Sequence, residues 1–487
     1  MAKKEKKGIT VKKDENFSEW YTQVVERAKL ADIRFGIQGF IVNMPFGFSI
    51  IRKIYEYLEE EVEEDNHEAF LFPNVVKEID LKKEKEHAGF NPEVFWVSEV
   101  GDKKLEERFA LRPTGEAQIY PMYSLWFRSY KDLPFKGYQS RISVFRAEKT
   151  TRPFIRGREF LFFETHDVFN THNESLEQIK KDLEICNKTI RDKIKIPFLF
   201  FKRPSWDKFL GADNSFTPDT VLPDGKRTQL ASTHDLGRNF SKAFGIRVEN
   251  ENEEEEFVWQ TCFGPGISRI MASLISIHGD DKGLILPFDM APIQIVIIPI
   301  IFSEKDNKPV LKYCVDIEKK LKEYKVKFDN SENSPGYKFN EWELKGVPIR
   351  IEVGPKETKD KKITIVLRTG EKKSIKLDSL LKEVEKSSKL IDKNIEDKAN
   401  LYFKNKTKNA KSYDELKNII ENYKGFIKVP FCSVEKDGEK CANKLKEETA
   451  ADVSGTLYPK EDKILKESKC IICNKKAKHI VYVAKSY

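Results

Sequence analysis

The chain has 487 residues, of which 39% are hydrophobic and 34% charged, with a net charge of +8. That length predicts about two to four domains, and so mild a positive balance excludes a blanket polycation. The most apolar run, 291–302, is too short to span a bilayer and carries Pro292 and Pro299, so no membrane segment is expected. Seven cysteines over this length do not form a secreted disulfide scaffold. The basic start Met1 to Lys7 has no apolar stretch behind it, so a cytoplasmic location is expected.

Residues 1–15 read as a disordered basic tail. Trp20 and Val24 share one face of a helix from Phe17 to Ala28. A second helix, Ser49 to Glu64, runs through the turn Asp65-Asn66 into a strand, Ala69 to Phe72, ended by Pro73. From Phe109 to Gln260 short strands and turns dominate, broken by a helix at Ser175 to Asp192. Its apolar repeat Ile179, Leu183, Cys186 and Ile190 makes Cys186 a core residue. The acidic stretch Asn250 to Glu256 reads as a solvated hairpin tip. Composition changes at Pro287 to Pro292. Beyond it, strands at Ile293 to Ile298, Lys325 to Phe328, Val347 to Val353 and Ile363 to Leu367 alternate with helical stretches. That order predicts an α/β domain with a largely parallel sheet. Cys314 shares a helical face with Ile317 and Leu321 and is assigned to the core, and a Lys/Glu helix over 377–407 leads to the last section.

Two arginine stations carry the chemistry. One is Phe145-Arg146-Ala147-Glu148 with Arg156 close behind; the other is Gly264-Pro-Gly266-Ile-Ser268-Arg269, opening an apolar helix. Guanidinium groups are always charged and grip phosphate or carboxylate as a fork, so the pair suggests a site holding a bent nucleoside triphosphate from both sides. In the strand Phe160-Leu-Phe162-Phe-Glu164-Thr-His166, alternation puts Phe160, Phe162, Glu164 and His166 on one face. That mixture suits a small pocket, apolar in body and polar at one end; a half-buried strand with a solvated polar end is the alternative. Thr114 and Glu116, in the turn Ala110-Leu-Arg-Pro-Thr114-Gly115-Glu116, can receive an ammonium group, or Thr114 can cap a helix. Gln229 suits a phosphate or its metal, and His234 is either a pocket or a structural histidine. Cys432 and Cys441, followed by Cys470-x2-Cys473, fit a tetrahedral structural zinc site, with four reduced cysteines as the rival.

These segments resemble the class II aminoacyl-tRNA synthetases, specifically the prolyl-tRNA synthetases of the archaeal, eukaryotic and zinc-tailed bacterial kind. The matching stretches include Phe17-Ser-Glu-Trp-Tyr21, Leu111-Arg-Pro-Thr-Gly-Glu116, Arg152-Pro-Phe-Ile-Arg156, Thr233-His-Asp-Leu-Gly237, His278-Gly-Asp-Asp-Lys-Gly283 and Ala484-Lys-Ser-Tyr487. The resemblance implies an α+β protein: a tail over 1–15, a catalytic domain over 16–288 with an antiparallel sheet flanked by helices, an α/β anticodon-binding domain over 289–405, and a small α/β zinc-binding domain over 406–487. It implies L-proline, ATP with Mg2+, tRNA(Pro), structural Zn2+ and a homodimer with Pro73 near the interface.

The resemblance also implies residue roles. Thr114 and Glu116 hold the proline imino nitrogen, while Phe160, Phe162, Glu164, His166, His234 and Cys262 line the proline pocket. Arg146 lies between the proline carboxylate and the α-phosphate, Glu148 reads adenine, and Arg156 and Arg269 take the terminal phosphates. Gly157, Gln229, Ser232 and Ser268 lie beside the nucleotide. Arg146, Arg269 and Glu116 are the expected catalytic set. Glu343, Arg350, Lys356 and Glu357 match anticodon-reading positions; solvated surface charge is the other reading. Gly115 stands where Ser is usual and Phe162 where many relatives carry Trp, and the Gly-Pro-Gly before Arg269 is looser than usual. A sister class II enzyme for threonine, serine, glycine or histidine and a non-enzymatic tRNA-binding paralogue are the rivals. No GxxxxGK[ST] run, HIGH or KMSKS-like segment occurs.

Overall fold

The computed structural model describes residues 8–88, 93–301 and 303–487. Residues 1–7 of the expected tail and Phe302 of the apolar run lie outside them. Residues 8–15 are docked rather than disordered. The Thr10 amide donates to Gln23 Oε1 at 2.8 Å, and the Lys13 ammonium donates to the Gly279 carbonyl at 2.6 Å. Gly279 caps the helix Ile267–His278, whose unpaired terminal carbonyls attract a cation.

Helix α1 (Phe17–Arg27) starts at Asn16, whose side chain accepts from the Glu19 amide, and buries Trp20, Tyr21 and Val24. Helix α2 (Pro45–Glu64) begins before Ser49 because Pro45 occupies its first turn, where a missing N–H is harmless. The expected strand at Ala69 to Phe72 is shifted: Glu68–Ala69 pairs in parallel with β1 (Phe135–Phe145). The ladder stops there because the Phe72 amide donates to the Gln139 side chain instead, at 3.3 Å.

A twelve-stranded sheet dominates the molecule. Its central strands are β2 (Glu159–Phe169), β3 (Leu199–Lys202), β4 (Asn214–Val221), β5 (Ala231–Gly237) and β6 (Trp259–Pro265), with β7 (Ala451–Leu457) and β8 (His479–Lys485) towards one edge. The spatial order through this region is β8-β7-β3-β4-β5-β6-β2-β1, and each of these neighbours pairs antiparallel. Helix α3 (Glu116–Trp126) sits near the β2 end, α4 (His172–Cys186) is fixed by a Thr171–Glu174 capping box, and α5 (Ile267–His278) follows β6 directly. Cys186 and Cys314 are buried, as their helical spacing predicts. The acidic stretch 250–256 joins a short exposed hairpin, Arg247–Glu249 with Glu255–Phe257.

The C-terminal section is not a detached lobe. Its strand β7 pairs with β3, Thr456 opposite Lys202 and Leu457 opposite Phe201, so one sheet runs through both regions. The domain beyond Pro287 is also corrected. Ile295–Pro299 pairs in parallel with Val326–Phe328 and Ile349–Val353, but Ile349–Val353, Lys362–Leu367 and Lys372–Lys376 follow as antiparallel neighbours. A parallel return needs a crossover of about a dozen residues or more, and the links 354–361 and 368–371 are shorter. Among the described residues no helix is long and apolar enough to cross a membrane.

Candidate active site

One face of the central sheet forms the floor of a cavity of about 670 Å³. The alternation of β2 brings Phe160, Phe162 and Glu164 to its wall; β5 contributes Ser232 and His234, β6 contributes Cys262, and the first turn of α5 contributes Ser268 and Arg269. Arg146, Glu148, Arg156 and Gly157 come from the segment joining β1 to β2, and Gln229 from just before β5. Arg146 and Arg269 therefore share one cavity, despite their separation in sequence.

The end that holds Thr114 and Glu116 is buried and electrically tense. Thr114 does not cap α3: the N-cap is Gly115, without a side-chain hydrogen bond. Among the described residues, the buried Thr114 Oγ1 and Glu116 Oε2 have no hydrogen-bond partner. Such groups are costly unless something else satisfies them, so this corner suits a ligand with N–H donors. Glu164 Oε1 accepts from Gln139 Nε2 at 2.6 Å, and its Oε2 lies 3.0 Å from His166 Nε2. Burial resists charge on this pair, yet mutual attraction holds the His166 pKa above and the Glu164 pKa below their ordinary values. His166 itself is not on the cavity wall, which corrects the expectation for it. It packs behind Glu164, its other ring nitrogen 3.0 Å from the Tyr120 hydroxyl. Its role is to hold a wall residue. Burial, aided by the charges of His166 and Arg203, pushes the His234 pKa down to about 3, so that ring is neutral. Cys262 Sγ lies 3.7 Å from Glu116 Oε1. Gly115 has a reason to lack a side chain, since a Cβ there would stand 2.4 Å from Glu164 Oε2.

The other end gathers cations. Burial, together with the charges of Arg146 and Arg156, pushes the Arg269 pKa down to about 10. Arg156 Nε donates to Glu148 Oε2 at 2.8 Å, leaving the group positive overall. The guanidiniums of Arg146, Arg156 and Arg269 facing one space call for a polyanion. The first turn of α5 adds backbone N–H groups at its positive end. Sequence reasoning missed several wall residues, among them Arg203, Lys208, Ser215 and Thr217, and the rim segment from Ile33 to Ile41. No spacing signal marks them, because each arrives on the wall through strand pairing or loop packing.

The four expected anticodon residues are not gathered in one place. Glu343 and Arg350 share a small hollow with Arg368, and Glu343 pairs with Lys282 at 2.9 Å. Lys356 and Glu357 lie on Pro355–Asp360, beyond the opposite end of the strand Ile349–Val353, and Glu357 accepts from the Gly354 amide at 3.1 Å.

Cys432, Cys441, Cys470 and Cys473 place their sulfurs within 4.8 Å of one another, with Cys432 and Cys441 Sγ 3.7 Å apart. Tetrahedral zinc with Zn–S of about 2.3 Å puts its sulfurs about 3.8 Å apart, so the donor set fits. The widened spacing of the first pair is absorbed by the turn at 436–438, which leads into the helix Glu439–Thr449 that carries Cys441 in its first turn.

An antiparallel sheet that presents arginines and a buried polar corner to one cavity, with a helix running off its last strand, defines a class II aminoacyl-tRNA synthetase core. The family model "tRNA synthetase class II core domain (G, H, P, S and T)" matches residues 95–278, an anticodon binding domain model matches 294–387, and a "Prolyl-tRNA synthetase, C-terminal" model matches 413–487. The chain is 48% identical to a proline–tRNA ligase of Thermofilum pendens over 99% of both chains, and 40% identical to that of Thermococcus kodakarensis over 97% of this chain and 98% of the other. Its structure resembles Giardia lamblia prolyl-tRNA synthetase in complex with prolyl-adenylate, with a TM-score of 0.94, 35% identity, and coverage of 98% of this chain and 100% of that one. The chain belongs to the prolyl-tRNA synthetase family, in its archaeal and eukaryotic type, and its activity is that of a proline–tRNA ligase.

Proposed function

We propose that the cavity binds L-proline and ATP side by side, joins them as prolyl-adenylate with release of pyrophosphate, and passes the prolyl group to the 3′ end of tRNA(Pro). The observation that supports this best is that Arg146 and Arg269 face the same cavity as Thr114 and Glu116, whose Oγ1 and Oε2 have no hydrogen-bond partner among the described residues. Thr114 and Glu116 take the proline imino nitrogen, and Phe160, Phe162, Glu164, His234 and Cys262 enclose the ring, with His166 bracing Glu164 from behind. Arg146 draws the proline carboxylate and the α-phosphate together. Glu148 reads adenine, and Arg156 and Arg269 hold the outer phosphates beside Gly157, Gln229, Ser232 and Ser268. Attack of a carboxylate on phosphorus needs alignment and charge neutralisation more than a base. Magnesium bound with the triphosphate would add to that neutralisation.

The same reading divides the chain at about 288 and 405. It gives the anticodon to the mixed-sheet domain, where an RNA loop laid along Ile349–Val353 reaches Glu343 and Arg350 at one end and Lys356 and Glu357 at the other. Zinc on the four cysteines stabilises the C-terminal strands. Leu71, Val75, Ile79, Leu125 and Trp126 are exposed apolar side chains, Leu71 at 78%, and such exposure on either side of Pro73 in the sequence suits contact with a second copy. A cytoplasmic location follows from the substrates. The test is ATP–pyrophosphate exchange across a panel of amino acids. Exchange driven by proline and lost by about 100-fold in Arg146→Ala is expected; unchanged exchange in that variant removes Arg146 from the site.

A further inference from the structure

Arg203 makes none of the substrate contacts proposed above, yet it is among the most tightly held groups on the cavity wall, with its side chain only 3% exposed. It follows β3, at the seam where β3 meets β7. Its Nη1 donates to the Ser454 carbonyl in β7 at 2.8 Å. Its Nη2 donates to both oxygens of Asp219, at 3.0 and 2.9 Å, and to Gln229 Oε1 at 3.2 Å. Arg227 Nη1 shares Asp219 at 2.8 Å, so the carboxylate is clamped between two guanidiniums.

A guanidinium only donates, so the Gln229 atom facing it is the carbonyl oxygen. The amide is planar, which turns its NH2 group away from Arg203. Among the described residues that NH2 group has no hydrogen-bond partner, and Gln229 stands on the cavity wall with Arg146, Arg156 and Arg269. The sequence left open whether Gln229 meets a phosphate or a metal; a free amide N–H suits a phosphate oxygen and not a cation.

We propose that Arg203 is a positioning residue for ATP: it fixes the Gln229 amide so that its NH2 group meets the triphosphate, and it ties that amide to strand β7 of the C-terminal region. The proposal rests on the assignment of Gln229 to the nucleotide. Lysine at 203 keeps the charge opposite Asp219 but cannot span Asp219, Gln229 and Ser454 at once.

The test is ATP–pyrophosphate exchange on the full-length enzyme, with KM measured separately for ATP and proline. Arg203→Lys and Gln229→Ala are each expected to raise the KM for ATP about tenfold and leave the KM for proline unchanged. The double variant is expected to match the single ones, since both remove the same donor. Multiplied losses in the double variant, or a proline KM that rises alongside, overturn the positioning role. An unchanged ATP KM in Gln229→Ala overturns the nucleotide assignment as well, which separates the two failures. Gln229→Glu provides a second arm should Arg203→Lys not fold, because it keeps an acceptor for Arg203 and removes the amide donor. It is expected to raise the ATP KM at least tenfold, and an unchanged value refutes the proposal.

Discussion

Replacing Thr114 by valine separates a ligand-binding corner from a structural one, because the two readings predict opposite signs. Thr114 is 8% exposed and its hydroxyl has no partner among the described residues. A buried hydroxyl left unsatisfied costs about 1–3 kcal/mol, and valine keeps the shape without it. The free protein is therefore expected to gain about 1 kcal/mol, seen as a melting temperature raised by one or two degrees, roughly. When proline is bound, the hydroxyl accepts from a charged imino group, a hydrogen bond of about 1.5–3 kcal/mol. Its loss is expected to raise the KM for proline about tenfold or more, with the KM for ATP unmoved. A helix cap predicts the reverse: about 1 kcal/mol of lost stability and no change in KM. Thermal unfolding and exchange kinetics on the same preparation decide between them. A lower melting temperature with an unchanged proline KM refutes the reasoning.

Gly115→Ala drives a Cβ to 2.4 Å from a carboxylate already pinned by Gln139 and His166. Overpacking of about 1–3 kcal/mol is expected to raise the proline KM and spare ATP, as read by the same exchange assay. On the far face of the sheet, burial and the charge of Asp167 push the Asp182 pKa up to about 7, with Thr233 Oγ1 donating to it at 2.6 Å. The folded protein then holds a proton that the unfolded chain has lost above about pH 4, so stability falls as pH rises from about 4 to about 7. Asp182→Asn is expected to melt higher than the unsubstituted protein at pH 8 and to lose that advantage at pH 5; a pH-independent difference counts against the assignment. Metal analysis of the purified protein is expected to find one zinc per chain, lost in Cys470→Ser, with an earlier unfolding transition. Retention of zinc in that variant excludes the four-sulfur site.

The sequence by itself determined what neighbouring residues encode. Period-two alternation put Phe160, Phe162 and Glu164 on one face of a strand, and helical spacing put Cys186 and Cys314 in the core. The arginine motifs announced a polyanion. Those readings survive folding because they depend on the chain's own repeat. Only the tertiary structure decided which donor meets which acceptor. His166 obeys the alternation yet lies behind the wall, since Tyr120 and Glu164 claim both ring nitrogens. Lys13 is docked because a helix end happens to expose its carbonyls nearby. The C-terminal strands became part of the catalytic sheet through the pairing of β7 with β3, which also brought Ser454 to Arg203. Hydrogen-bond partners distant in sequence leave no period to read. They are chosen when strands register and buried polar groups must each find a mate.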